Sequence, residues 1–180
     1  MELLKDFNIK KYLDKKPPSD NSNTTKRELI ELAKTPIKEK FVKEMDDGQG
    51  NFEKIVGKDP IIDKLVKESD KIVGKIKKHH NRPRPKVLAK KFGIKMEDIE
   101  LNTMKTPSYP SGHSAQSFLL ALVLGDKYPS KRNKLMKKAR DISKSRKDAH
   151  AHYASDSLFG EQLGKDMYKY IKNKTWVNKN

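Results

Sequence analysis

The sequence predicts an all-α protein, a single-domain helical bundle around one central apolar helix. Apolar residues recur at helical spacing in several separate stretches, and none alternates with the two-residue period of a strand. One run, Phe118 to Leu124, is apolar almost all round, as suits a helix enclosed by others. At 180 residues the chain is long enough to bury a real core within one domain, and it contains no internal repeat.

Residues 1–23 read as an N-terminal arm. A short amphipathic piece (Leu3, Leu4, Phe7, Ile9) passes into Lys15-Lys-Pro-Pro-Ser-Asp-Asn-Ser-Asn23, which is turn and linker chemistry, so a flexible, loosely docked segment is expected. The domain proper is read as 24–175. Thr24 or Thr25 caps a first helix whose apolar face is Leu29, Ile30, Leu32 and Ala33. Pro36 kinks or restarts it, and Ile37, Phe41, Val42 and Met45 continue until Asp47-Gly48-Gln49-Gly50 stops it.

Asp59-Pro60 is a strong helix entry, a capping side chain followed by proline at the first helical position. Ile61, Ile62, Leu65, Val66, Ile72, Val73 and Ile76 then recur at helical spacing, and Pro83 and Pro85 end the run. A short helix around Val87–Phe92 and a loop through Thr106-Pro107 lead to the central helix, which starts near Ser111. After a turn over 126–132, a basic amphipathic helix covers 133–147, and a last helix runs from about Ala151 to Lys172.

Charge bounds the partners. Lys plus Arg is 41 against 24 acidic residues, a formal net charge of +17, which favours phosphate-bearing partners. Only six of the basic residues are arginine, the side chain that nucleic-acid readers lean on for its planar fork. The lysine excess therefore reads first as solvated surface, with any nucleic-acid affinity weak and non-specific. Disulfides and thiolate metal sites are excluded because there is no cysteine. The first twenty residues lack the apolar core of a signal peptide, and no apolar run approaches the ~20 residues needed to span a bilayer, so a cytoplasmic location is expected. Oligomeric state stays open, a homo-oligomer included.

Three short blocks carry the chemistry. Lys75 and Arg82, seven apart and followed by Pro83, are placed by two helical turns on one face. Pro110-Ser111-Gly112-His113 turns a loop into the central helix, whose first N–H groups have no intrahelical partner and favour an anion. Ser145-Arg146 is followed by His152 and Asp156, four apart, close enough for the carboxylate to accept from imidazole Nδ1–H and leave Nε2 nucleophilic. Each block alone has a plain structural reading: solvated charges, a helix start, a surface hydrogen bond.

Together they form K-x6-R-P, then P-S-G-H, then S-R-x5-H-x3-D, in order. This resembles the type 2 phosphatidic acid phosphatase (PAP2) superfamily, which includes class A acid phosphatases and vanadium haloperoxidases. The resemblance covers Lys75 to Asp156, with Gly160 and Gly164 also familiar. It implies a helical core and a metal-independent phosphatase that works through a phosphohistidine on His152. Asp156 would orient His152, and His113 would protonate the leaving oxygen. Lys75, Arg82, Ser111, Gly112 and Arg146 would hold the phosphate. No metal or cofactor is implied, and vanadate would act as an inhibitor mimicking the transition state. The family commonly has glycine two before the nucleophile and proline two after it; here His150 and Ala154 stand there, so the path from Arg146 into the last helix is expected to differ. His79 and His80 fall in positions that the pattern leaves free and read as surface residues. The alternatives are a vanadate-dependent haloperoxidase, which this short chain disfavours, and a non-enzymatic basic nucleic-acid-binding protein.

Overall fold

A computed structural model describes residues 1–97 and 99–177. Among them there is no strand, and the chain is a helical bundle as its periodicity predicts. The helices are α1 (Lys10–Asp14), α2 (Asn23–Lys34), α3 (Glu39–Asp46), α4 (Gly48–Val56), α5 (Pro60–His80), α6 (Pro85–Lys91), α7 (Gly112–Lys127), α8 (Arg132–Asp148) and α9 (Ala154–Val177). No described helix is long and apolar enough to cross a membrane.

α7 is the central helix. Ala115, Leu119, Leu120, Ala121 and Leu124 are buried along it, and it packs most extensively on α8 and α9, then on α5 and α4. Two glycines bring α9 against its first turns. A Cβ on Gly160 would lie 2.4 Å from the Ser111 carbonyl oxygen, and one on Gly164 would lie 2.3 Å from that of Ala115. Only a bare backbone permits that approach. It sets the start of α9, with Asp156, beside the start of α7: the Ser111 N–H donates to the Asp156 carbonyl at 3.0 Å. On the α8 side small hydroxyls do the same work, with Ser114 Oγ 2.7 Å from Ser143 Oγ.

Several expected boundaries move for identifiable reasons. Ser22, not Thr24 or Thr25, caps α2, its side chain accepting from Thr25 N–H. Asp47-Gly48-Gln49-Gly50 does stop α3, but Asp47 also accepts from Gly50 N–H and thereby caps α4, a helix the glycines hid. α5 begins as expected at Asp59-Pro60, yet ends at His80 with Asn81 left-handed (φ 47°), before either proline.

The arm over residues 1–23 is not a loose linker. Leu4 and Tyr12 are buried in the main core, and Leu4 N–H donates to Glu68 at 2.7 Å. Tyr12 sits between the rings of Phe7 and Phe159 and hydrogen-bonds Asp166. His79 and His80 hold the arm's carbonyls at Leu13 and Tyr12, away from the site described below.

Candidate active site

The ends of α5, α7 and α8 and the segment entering α9 enclose a cavity of about 310 Å³. Lys77, Arg84 and Arg146 line it with Gly112, His113 and His152; Asp70, Val73, Gly74 and Gln116 form the wall farther along α5 and α7.

His152 precedes α9 rather than lying on it, so its pairing with Asp156 is not the helix-face contact that the spacing suggested. The carboxylate reaches back from the first turn and accepts from His152 Nδ1 at 3.2 Å and from Tyr153 N–H at 3.1 Å. On the other edge of the ring, Arg84 Nη1 stands 2.9 Å from Nε2. A guanidinium only donates and a carboxylate only accepts, so the proton is on Nδ1 and the lone pair on Nε2. Burial, and after it the charges of Arg84, Lys77 and Arg146, hold His152 well below the usual histidine pKa.

Asp156 is fully buried, and burial pushes its pKa up to about 6 against the opposing pull of Arg82, Ser108 and the Tyr153 amide. Ser108 Oγ donates to Oδ2, and Arg82 Nη1 donates to Oδ1 at 2.8 Å.

Arg82 and Lys75 are therefore not where the sequence reading put them. Arg82 faces away from the cavity: it bridges Asp156, Ser155 and Glu28, and its guanidinium lies 3.7 Å over the Tyr153 ring. Lys75 is exposed and lines a separate hollow with Glu2, Lys5 and Glu68. The cavity instead holds Lys77 and Arg84. The stretch from Lys75 to Pro85 contains K-x6-R-P twice, two residues out of step, and the second copy is the one that meets His152. Helical phase was the available signal, because Lys77 continues the buried stripe of Ile62, Leu65, Ser69, Val73 and Ile76 while Lys75 lies behind it.

Lys77 Nζ donates to Thr106 Oγ1 at 2.8 Å, and burial and then Arg84 lower its pKa to about 8. Arg84 is lowered to about 10, chiefly by burial, and stays charged at neutral pH. It also ties the loop before α7 to the site through the carbonyls of Thr103, Thr106 and Ala151.

Arg146 is reached through an unusual turn. His150 is left-handed (φ 55°), its N–H donates to Lys147 O, and Ala151 N–H donates to Arg146 O. This is a Schellman C-cap, whose left-handed residue is usually glycine. Histidine keeps the geometry because its two ring nitrogens meet the carbonyls of Glu97 and Thr35. Ala154 simply opens α9. Arg146 then points into the site, Nη1 donating to Asp46 at 2.9 Å, while its buried Nη2 has no partner among the described residues.

Ser111 does not face the cavity. Its N–H is taken by Asp156 O, and its Oγ caps α7 by accepting from Ser114 N–H at 3.2 Å. Gly112 does line it. His113 Nε2 lies 2.8 Å from the Asp46 carbonyl, which makes Nε2 the protonated nitrogen. Burial first, and Arg146 next, push its pKa down to about 4. Asp46, unremarked in the sequence, thus holds both Arg146 and His113.

No group of His, Asp or Glu among the described residues has the arrangement of a metal site. The model of the PAP2 superfamily matches residues 69–165, which contain every cavity residue named above. The chain is 40% identical over 88 residues to a non-specific acid phosphatase of Salmonella typhi, and 39% identical over 88 residues to that of Salmonella typhimurium. Each match covers 49% of this chain but only 35% of the relative. The second K-x6-R-P, the α7 entry and the Arg146–His152–Asp156 set all converge inside a match that spans more than half of the chain: it belongs to the PAP2 superfamily.

Proposed function

We propose that the protein is a phosphatase that hydrolyses phosphate esters through a phosphohistidine on His152, without a metal ion. One observation carries the reading. The unprotonated Nε2 of a buried histidine borders a cavity lined by three cations, Lys77, Arg84 and Arg146, and the last keeps a buried donor, Nη2, with no acceptor among the described residues. That pairing asks for an anion beside a nucleophile. The acid phosphatases named above support the reaction class.

In this reading the phosphoryl oxygens take the place of Nε2 on Arg84 and fill the open donor of Arg146, with Lys77 and the first-turn amides of α7 completing the cradle. His152 Nε2 attacks phosphorus, and the ester P–O bond breaks. The leaving oxygen takes a proton from His113, whose Nδ1 is the nitrogen not engaged with Asp46. Water then attacks the phosphohistidine, gives its proton to His113, and releases phosphate. Such transfer needs mainly positioning and charge stabilisation, which cations supply where a metallophosphatase has carboxylates around its ions. The test is phosphate release that persists in EDTA and is blocked by orthovanadate. Activity lost to EDTA and restored by a divalent ion overturns the metal-free reading, and vanadate-dependent bromide oxidation without phosphate release overturns the phosphatase reading.

The pKa directions set a pH profile. Both histidines are neutral in the empty site above their lowered pKa values. The proton that His113 delivers must then arrive with the substrate, so kcat/KM follows the monoanion and falls as pH rises through ~6, the second ionisation of a phosphate ester. Above about 8 the empty site also loses the Lys77 charge. On the acid side the rate falls as Asp156, raised to about 6, gains a proton and no longer accepts from His152 Nδ1, and falls further once His152 is itself protonated, well below the usual histidine value. An optimum above pH 8 contradicts this assignment.

A further inference from the structure

The cavity is polarised along its length. α5 presents Asp70, Val73, Gly74 and Lys77 to it, the i, i+3, i+4, i+7 stripe of one helical face. Lys77 lies at the phosphate end, and Asp70 is two turns away, about 10 Å along the axis. α5 and α7 run antiparallel here: a Cβ on Gly112 would touch Val73 Cγ1 at 3.5 Å, while Gln116 Nε2 reaches back to Val66 O at 3.5 Å. Asp70 therefore stands level with the stretch from His113 to Gln116, on the side of the cavity where His113 would meet the leaving oxygen. Between Asp70 and Lys77 the wall carries the Val73 side chain and a gap at Gly74, where a Cβ would meet nothing within 4 Å. Asp70 is exposed and makes no ion pair with a described residue, and it is the one carboxylate among the residues lining this cavity.

We propose that Asp70 is a specificity residue that selects the alcohol released, favouring phosphate esters of amino alcohols over esters whose alcohol carries an anion. The inference rests on the phosphatase reading and adds to it the chemistry of the leaving group. The phosphate binds at the cationic end, the alcohol lies along Gly74, and an ammonium at its far end faces the exposed Asp70 carboxylate across ~8 Å, with the Gln116 amide beside it. A carboxylate or second phosphate at the same place meets repulsion instead. One charge pair ~8 Å apart at an effective dielectric of ~40 changes kcat/KM about sixfold, so exchanging ammonium for carboxylate shifts it about 35-fold.

The experiment uses three matched series of phosphate esters, whose alkyl chains of increasing length end in ammonium, methyl or carboxylate. Nitrophenyl phosphate serves as an uncharged reference. The intact protein is expected to rank ammonium above methyl above carboxylate, most strongly at one chain length. In Asp70→Asn the ammonium-to-carboxylate ratio falls toward one, and in Asp70→Lys it inverts. Gly74→Leu narrows the path and lowers kcat/KM more for the longer ammonium esters than for the shortest. Turnover of nitrophenyl phosphate together with a ratio that Asp70→Asn leaves unchanged overturns the role of Asp70 alone. No phosphate release from any ester overturns the phosphatase reading and the selectivity with it.

Discussion

Replacing His152 with alanine is expected to remove turnover for every ester, by on the order of 10⁴–10⁶-fold, the scale seen when a hydrolase loses its nucleophile. The variant should still fold. His152 precedes α9, and among the described residues its ring bonds Asp156 and Arg84, both of which keep other partners. The effect should not depend on what leaves, because the attacking atom itself is gone. His113→Ala is the informative contrast. An alkyl phosphate expels a strongly basic alkoxide and needs a proton, so the loss should approach ~10²–10⁴-fold, whereas an activated aryl phosphate expels a stable anion and should lose far less. Steady-state kinetics across a series of leaving groups measures both. Equal losses in the two variants at every leaving group contradict the division of roles, and near-normal turnover by His152→Ala removes the phosphohistidine.

Much of this arrangement is legible in the chain. The helical class follows from periodicity, and α5 and α7 announce themselves through Asp59-Pro60 and through the Pro110–His113 turn before an apolar run. His113, Arg146 and His152, which meet in the cavity, are residues that the family resemblance of the second and third blocks implies. What stayed hidden depends on tertiary partners. Asp46 carries no local pattern, and it matters only because α3 packs on α8 and brings its carboxylate to Arg146 and its carbonyl to His113. His150 looked like the loss of a glycine, whereas its left-handed backbone preserves the turn with two carbonyl contacts from distant segments. The arm looked like a linker because a Lys-Pro-Pro-Ser composition says nothing of Leu4 and Tyr12 finding places in the core. Ser111 was read as a phosphate donor because its role as helix cap and its bond to Asp156 O both arise from how closely α9 approaches.

The doubled Lys–Arg motif yields the second large expectation, since the two registers predict opposite outcomes. Lys77→Ala and Arg84→Ala should each lower kcat/KM by about 10²-fold or more, because each removes a cation from the place where transition-state charge gathers. Arg84 should cost more, as it also holds the loop carbonyls at Thr103 and Thr106 and the lone pair of His152. Lys75→Ala should leave turnover as it is, since that side chain is exposed beside a different hollow. Arg82→Ala should act through stability. Its guanidinium is the buried counter-charge of Asp156, and removing one partner of such a pair typically costs about 3–5 kcal/mol. At ~2–4 °C of Tm per kcal/mol for a chain of this size, the melting point should drop by roughly 6–20 °C. Arg84 interacts mainly with carbonyls and a neutral imidazole, so its removal strands no buried charge of opposite sign and should lower Tm less. Thermal unfolding and kinetics on the same four variants therefore separate the copies. If Lys75→Ala costs as much turnover as Lys77→Ala, the first copy faces the phosphate and the site assembled here is wrong; if Arg82→Ala melts with the parent protein, Asp156 does not depend on it for charge.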